Sequence, residues 1–414
     1  MYNLFTKNYY MLKRIFISII LCSAAFIAKP QKTYNEATLP QLLQRLETKD
    51  TNMIVLDVRS RGEYDDTTST FQQSNIGRIK GAINIPLQDF RKNPGLVHLL
   101  DQYRDKDIYV ICSHSYRSRV VSTMLVDSGF QHVNNTRGGM TEFFRRYNDI
   151  KPYKKDLYET SIAYTNISPS QLADELIAKK EPLIIAVNNA PRYFWDSSNV
   201  IYYKYFPSFS GQVNFSYGDS LKILELIKKQ NGVPVVLYNT INYGAAELAG
   251  WLTRKGVTNV TYLVGGVDLF YAYVEDENLD GQTKQFIKSN SKINFITPVV
   301  FCGKLSPSPD VKLVDVRPDS IFNKLSKGTK YSYKHLKGAS NFFEGNGVEK
   351  FKQQFPDKNI SYVLISENGF NGLEFAHKLS EEGYHISWIM DGMQRWEWYM
   401  NNVETFKCMD SLVQ

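Results

Sequence analysis

Histidine and cysteine are scarce in this chain, six and four among 414 residues. Neither falls at the spacing that holds a metal ion, so no metal and no other cofactor is expected. Concentrated charge is missing too. The formal charge is +7, and without the leader cations Lys7, Lys13 and Arg14 it is +4, too mild and too dispersed to argue for a nucleic-acid partner. The apolar run at residues 15–28 is short for a membrane span. What remains is the composition of a soluble globular protein, long enough for two to four domains. Its 27 Tyr and 24 Phe are expected to fill cores and domain interfaces.

Residues 1–28 read as a secretory signal. Lys13-Arg14 precede the apolar run, and the small residues Ser23-Ala24-Ala25 lie near its end. Met11 offers a more compact start. Cys22 raises lipidation as a minority reading, against which stands the bulky Leu21 before it. The expected destination is export, the periplasm first, with no membrane contact once the leader is removed. There disulfides form. Cys112, Cys302 and Cys408 then remain, an odd number, so at least one is free or pairs between chains. Cys302 and Cys408 lie near the two ends of the last domain, and domain ends often meet. A bridge between them is one reading, and two unpaired thiols is the other.

Internal self-similarity reveals the organisation. Gly81-Ala82-Ile83-Asn84 has counterparts in Gly211-Gln212-Val213-Asn214 and Gly338-Ala339-Ser340-Asn341. Gly138-Gly139 with Phe143 is echoed by Gly265-Gly266 with Phe270 and by Asp391-Gly392 with Trp396. The aromatic falls one helical turn after the glycines, where it could plug a core. Ile167-Ser168-Pro169 and Ile296-Thr297-Pro298 carry a cap followed by proline and should open helices. Three units follow, at 36–150, 165–280 and 293–405, with polar, Lys-rich linkers expected near 149–166 and 280–293. Short Val/Ile/Leu runs at 53–58, 183–187 and 311–316 alternate with amphipathic helical patterns. That predicts an α/β fold in which each unit is a mostly parallel sheet with helices on both faces.

The most informative stretch is Cys112-Ser113-His114-Ser115-Tyr116-Arg117-Ser118, directly after the apolar run at 108–111. Val120, Val121, Met124 and Leu125 recur at helical spacing beyond it, so the loop should sit over a helix N-terminus, where free N–H groups and the dipole attract negative charge. Arg117 adds a permanent cation. Such a loop is built to hold an anionic sulfur, the form of cysteine that attacks. Asp57 and Cys112 both fall at strand C-terminal ends, where α/β sheets place catalytic groups. Asp57 and Arg59 are expected to support the loop through ion pairing.

With Leu56-Asp57-Val58-Arg59 and Glu63-Tyr64 upstream, the 77–86 segment Gly-Arg-Ile-Lys-Gly-Ala-Ile-Asn-Ile-Pro, and Arg137-Gly138-Gly139-Met140 downstream, the chain resembles the rhodanese-like sulfurtransferases. Four motifs in order over about a hundred residues carry that resemblance. Arg78 departs from the histidine usual there. The resemblance implies three tandem rhodanese-like domains and a Cys112 persulfide as the intermediate. Thiosulfate or a persulfide would be the donor, and a thiol or cyanide the acceptor. It assigns catalysis to Cys112 and Arg117, and substrate contact to Ser113, His114, Ser115, Tyr116 and Ser118. Four residues stand between Cys112 and Arg117, whereas the related phosphatases and arsenate reductases have five, so the cradle suits sulfur better than phosphate.

Measured back from the glycine that ends the active helix, Gly129 leads to Cys112, Gly256 to Asn239 and Gly383 to Ser366. The arginine position becomes Gly244 and Asn371, so nucleophile and cation disappear together. The second and third units are expected to be catalytically silent. Ser366 would need a base, and only His377 could supply one by folding. A sulfane-sulfur carrier or redox-sensing protein acting with a specific partner is the competing reading. A monomer is adequate for three units able to pack on one another.

Overall fold

The computed structural model describes residues 33–69, 72–145, 147–188, 204–239, 244–276, 282–305, 310–323, 334–394 and 396. The proposed leader and Cys408 lie outside the described residues. No helix among the described residues is long and apolar enough to cross a membrane.

Three five-stranded sheets share one strand order. The first contains β1 (Asn35–Ala37), β2 (Met53–Asp57), β3 (Ile83–Asn84), β4 (Asp107–Ile111) and β5 (Val133–Thr136). The second contains β6 (Thr165–Ile167), β7 (Leu183–Asn188), β8 (Val213–Ser216), β9 (Val235–Tyr238) and β10 (Val260–Leu263). The third contains β11 (Asn294–Ile296), β12 (Val311–Asp315), β13 (Ser340–Asn341), β14 (Ser361–Ile365) and β15 (His385–Ile389). In each, the unit's first strand is at one edge, followed by its fifth, fourth, second and third, and every pairing is parallel. The protein is therefore α/β, built of parallel sheets flanked by helices. Strands such as β2 and β4 are apolar and buried because helices cover both of their faces.

Helix α1 (Leu39–Glu47) opens with Pro40 in its first turn and a reciprocal cap in which the Gln41 amide donates to Thr38 Oγ1 while Gln41 Oε1 accepts from Thr38 N–H. Ser168 and Thr297 cap helices at the two predicted positions, with Pro169 and Pro298 next in line. The aromatics after the glycine pairs, Phe143, Phe270 and Trp396, are fully buried.

The stretches read as linkers belong to the units instead. Residues Tyr147–Leu157 form a helix, and Tyr158–Glu159 pair antiparallel with Arg78–Ile79. Ile150, Tyr153 and Leu157 pack into the core from among the lysines, a helical stripe that overall polarity concealed. Ile287–Lys288 return in the same way to pair with Ser208–Phe209. Nor are the units separate beads. One apolar cluster joins Leu42 and Phe144 of the first unit to Ala246 and Leu252 of the second, and another joins Phe206 and Phe270 to Phe295, Phe342 and Trp388.

Candidate active site

Cys112 follows β4 directly, and helix α2 (Tyr116–Asp127) begins four residues later. Its Sγ accepts the Ser115 N–H at 3.1 Å and lies 3.5 Å from Ser118 Oγ. Ser115 turns the loop through a left-handed conformation at φ 85°, which aims its amide back at the sulfur. A backbone donor and the helix start thus converge on one atom, an arrangement suited to negative charge. Cys112 is 1% exposed and is the free cysteine among the described residues. Cys302 is disulfide-bonded, with its partner outside the described residues.

The glycine pair holds the loop from below. Gly139, at φ 60°, passes so close that a Cβ there would lie 2.2 Å from the Cys112 carbonyl oxygen, which leaves glycine as the residue that fits. Met140 N–H donates to Cys112 O at 2.8 Å, and Thr141 donates to Ser113 O from both its N–H and its hydroxyl.

Arg117, half-buried, is fixed by a two-pronged pair with Glu63, Nη1 to Oε2 at 2.5 Å and Nη2 to Oε1 at 2.7 Å, and Nη2 also donates to Ser113 Oγ at 2.8 Å. Burial opposes ionisation of Glu63, but the hydrogen bonds and charge of Arg117 outweigh it and hold the carboxyl below its usual range. The expected cation is in place, therefore, with a fixed carboxylate beside it. Glu63 carries no role in the reading by residue type, although Ser60 with Glu63 three residues on was a visible capping box.

The substrate-contact residues divide. Tyr116 is 63% exposed, and the exposed His114 ring lies 2.9 Å from Ser113 Oγ. Ser115 and Ser118 correct the expectation, since both side chains are fully buried. Ser115 Oγ accepts from Gly138 N–H at 2.7 Å. Ser118 Oγ sits 2.9 Å from Ser115 O and 2.6 Å from Asn135 Oδ1. Ser115 is thus spent on the backbone of the glycine pair, and Ser118, in the first turn of α2, on the carbonyl three residues before it. Asn135, bonded in turn to Glu36, is a further supporting residue that no motif marks.

Asp57 and Arg59 form a wholly buried pair, Nη2 to Oδ2 at 2.7 Å. Arg59 also donates to Gly77 O, and Asn84 donates to the carbonyls of both residues. These bonds stitch the β2 end to the 77–84 segment, so support reaches the loop through Val58 N–H on Ile111 O at 2.9 Å. Arg59 Nη1 is buried without a hydrogen-bond partner.

The other two units carry the same frame with different occupants. Asn239 Oδ1 accepts the Ala245 N–H at 2.7 Å, and its amide nitrogen donates to Val187 O, so a neutral side chain plugs the second helix start. Ser366 Oγ accepts Gly369 N–H at 3.0 Å, as Cys112 does from Ser115. Arg317 pairs with Asp315 and, through Nη1, with Glu367 Oε2 at 2.9 Å. His377, the candidate base for Ser366, stacks on Tyr205 of the second unit with ring centroids 4.1 Å apart. Among the described residues, no cluster of metal-ligating side chains occurs.

The Rhodanese-like domain model matches residues 38–146 and 303–397. Both matched segments belong to the rhodanese-like family. The first matched segment contains the Cys112 loop, and the second contains Ser366. Curated relatives include a tRNA uridine(34) hydroxylase of Pectobacterium carotovorum, 28% identical over 119 residues, and one of Cytophaga hutchinsonii, 26% identical over 114 residues. Each alignment covers 28% of this rhodanese-like chain, which spans about a third of those relatives, 31% and 33% of their lengths. Among solved structures, a variant of EanB with hercynine is similar at 15% identity and a TM-score of 0.27, covering 89% of this chain and 97% of that one. A rhodanese-like domain from Anabaena is 26% identical with a TM-score of 0.21, covering 26% of this chain and 72% of that one.

Proposed function

We propose that the protein is a sulfurtransferase that carries sulfane sulfur on Cys112. The carrying observation is the Cys112 Sγ held by the Ser115 amide at 3.1 Å at the head of α2. The thiolate attacks the outer sulfur of a donor such as thiosulfate; a new S–S bond forms at Cys112, the donor's own S–S bond breaks, and sulfite leaves with the electron pair. A thiolate or cyanide then attacks the outer persulfide sulfur and returns Cys112 as thiolate. Electrons balance without a separate oxidant. Loop N–H groups and Arg117 stabilise the moving charge, with His114 and Tyr116 at the mouth choosing the substrate.

The 165–280 unit is a third rhodanese-like domain in this reading, supported by its identical strand order. It and the 293–405 unit are silent, supported by Asn239 and Ser366 standing at the cysteine position. Export of a monomer is also proposed, supported by the leader pattern and by a disulfide at Cys302. The relatives' tRNA chemistry is not carried over, because only a third of their length is matched.

The test is transfer of sulfur from thiosulfate to cyanide by the wild type and by Cys112→Ser, with intact-mass detection of a 32 Da adduct on Cys112. Turnover that disappears with the variant supports the enzyme. A persulfide discharged only by a specific protein would favour the carrier reading, and phosphate release from a phosphoester would replace both.

A further inference from the structure

A cavity of about 420 Å³ opens in the third unit, lined among others by Glu344, Gly347, Val348, Phe370, Gly372 and Phe375. It lies beside the loop that follows Ser366, on the side that Leu87 fills in the first unit. Leu87 donates its N–H to Val58 O at 3.1 Å, and Glu344 donates its own to Val316 O at 3.2 Å, so the two residues hold the same place. Leu87 is 2% exposed and packs with Phe90 and Val121. The third unit replaces that leucine with a carboxylic acid and leaves the space unfilled.

Glu344 Oε2 is buried without a hydrogen-bond partner, tucked against Gly372, where a Cβ would come within 2.2 Å of it. Burial pushes the carboxyl up to about 7, with no compensating cation among the described residues. The other titratable groups near the cavity are already matched. Lys378 at the rim pairs with Glu374 at 3.5 Å, Glu349 with Lys352 at 3.1 Å, and Glu367 of the preceding loop with Arg317. An acid kept in an apolar cavity costs stability unless something complements it. The start of helix α3 (Leu373–Glu381), next to Gly372, steadies the ionised form once a counter-charge is present. Phe370 and Phe375 supply aromatic surface for a cation with an apolar body.

We propose that this cavity is a binding site for a small organic cation, a primary ammonium on an apolar or aromatic body, with Glu344 as its counter-ion. The third unit is then a ligand-binding module rather than a spent copy. The site does not rest on sulfur transfer at Cys112, and either reading can fail alone.

The test uses the full chain and three probes of one shape, phenethylamine, 2-phenylethanol and phenylacetate, followed by titration calorimetry and amide chemical shifts. Phenethylamine should saturate the site at least 10-fold more tightly than the alcohol, shift the 344–348 and 370–378 amides, and release protons near pH 7. Glu344→Gln should weaken it at least 10-fold while thiosulfate turnover stays unchanged. Equal binding of amine and alcohol, tighter binding of phenylacetate, or an unaltered Glu344→Gln affinity would each overturn the proposal. So would Glu344→Leu raising the melting temperature of a wild type that binds none of the three, since the cavity would then be a packing defect.

Discussion

In the first unit Arg59 leaves Nη1 without a partner, whereas in the third Arg317 commits the equivalent nitrogen to Glu367. Around that difference the two platforms coincide. Each has an Asp-x-Arg pair closed at 2.7 Å, an asparagine donating to both of its carbonyls, and a glycine pressed against the loop. Besides the cavity at Glu344, what changed is the set of loop occupants. Glu367 follows Ser366 as Ser113 follows Cys112, and its carboxylate takes the Arg317 nitrogen whose Arg59 counterpart has no hydrogen-bond partner. The frame is thus retained for folding, and chemistry resides in a few loop positions that vary upon it.

Exchanging the loop residues breaks the comparison most sharply. Cys112→Ser should cost transfer at least about 10³-fold, roughly 4 kcal/mol of barrier, and adding Ser366→Cys should restore none of it, because Glu367 fills the platform and Asn371 brings no charge. Recovery of turnover in that double variant would show that the third loop lacks nothing but sulfur. Next in size is the glycine support. Gly139→Ala places a Cβ against the Cys112 carbonyl at a positive φ and should cost about 3 kcal/mol in denaturant unfolding as well as most of the turnover. Gly392→Ala meets the Ser366 carbonyl in the same way and should cost similar stability with turnover intact.

A smaller effect distinguishes the units by pH. Glu344 holds its proton to about 7 in the fold against an ordinary 4.5. Between those values the folded chain binds more protons than the unfolded one, so stability falls as pH rises through the window. Glu344→Gln should remove that fall, about 2 kcal/mol after allowing for partial exposure, read as the melting difference between variant and wild type at pH 5 and pH 8. Smallest is Glu63→Gln, which takes the carboxylate from Arg117. About 1.5 kcal/mol of stability should go with it, and transfer should fall several-fold as Arg117 leaves Ser113.

The α/β class, the helix starts at Ser168 and Thr297 and the plugging aromatics were legible in sequence, because each depends on local chemistry: a cap, a proline, a period. Cys112 and its helix were legible for the same reason. Ser115 and Ser118 were misplaced because a hydroxyl's direction follows from the turn's φ, and φ 85° at a serine leaves no mark in composition. The helix at Tyr147–Leu157 was missed since three lysines and two aspartates surround its three packing residues. Glu63 and Asn135 act across 54 and 17 residues of chain, and pairings that distant are set by sheet order.

A cysteine that is 1% exposed imposes a shape on its visitors. Whatever loads or unloads Cys112 must arrive end-on with a slender terminal atom, and a globular acceptor has to offer its thiol on an extended tip. On the proposed chemistry, concealment would also guard the cargo: a persulfide lodged there would be screened from stray reductants between one delivery and the next.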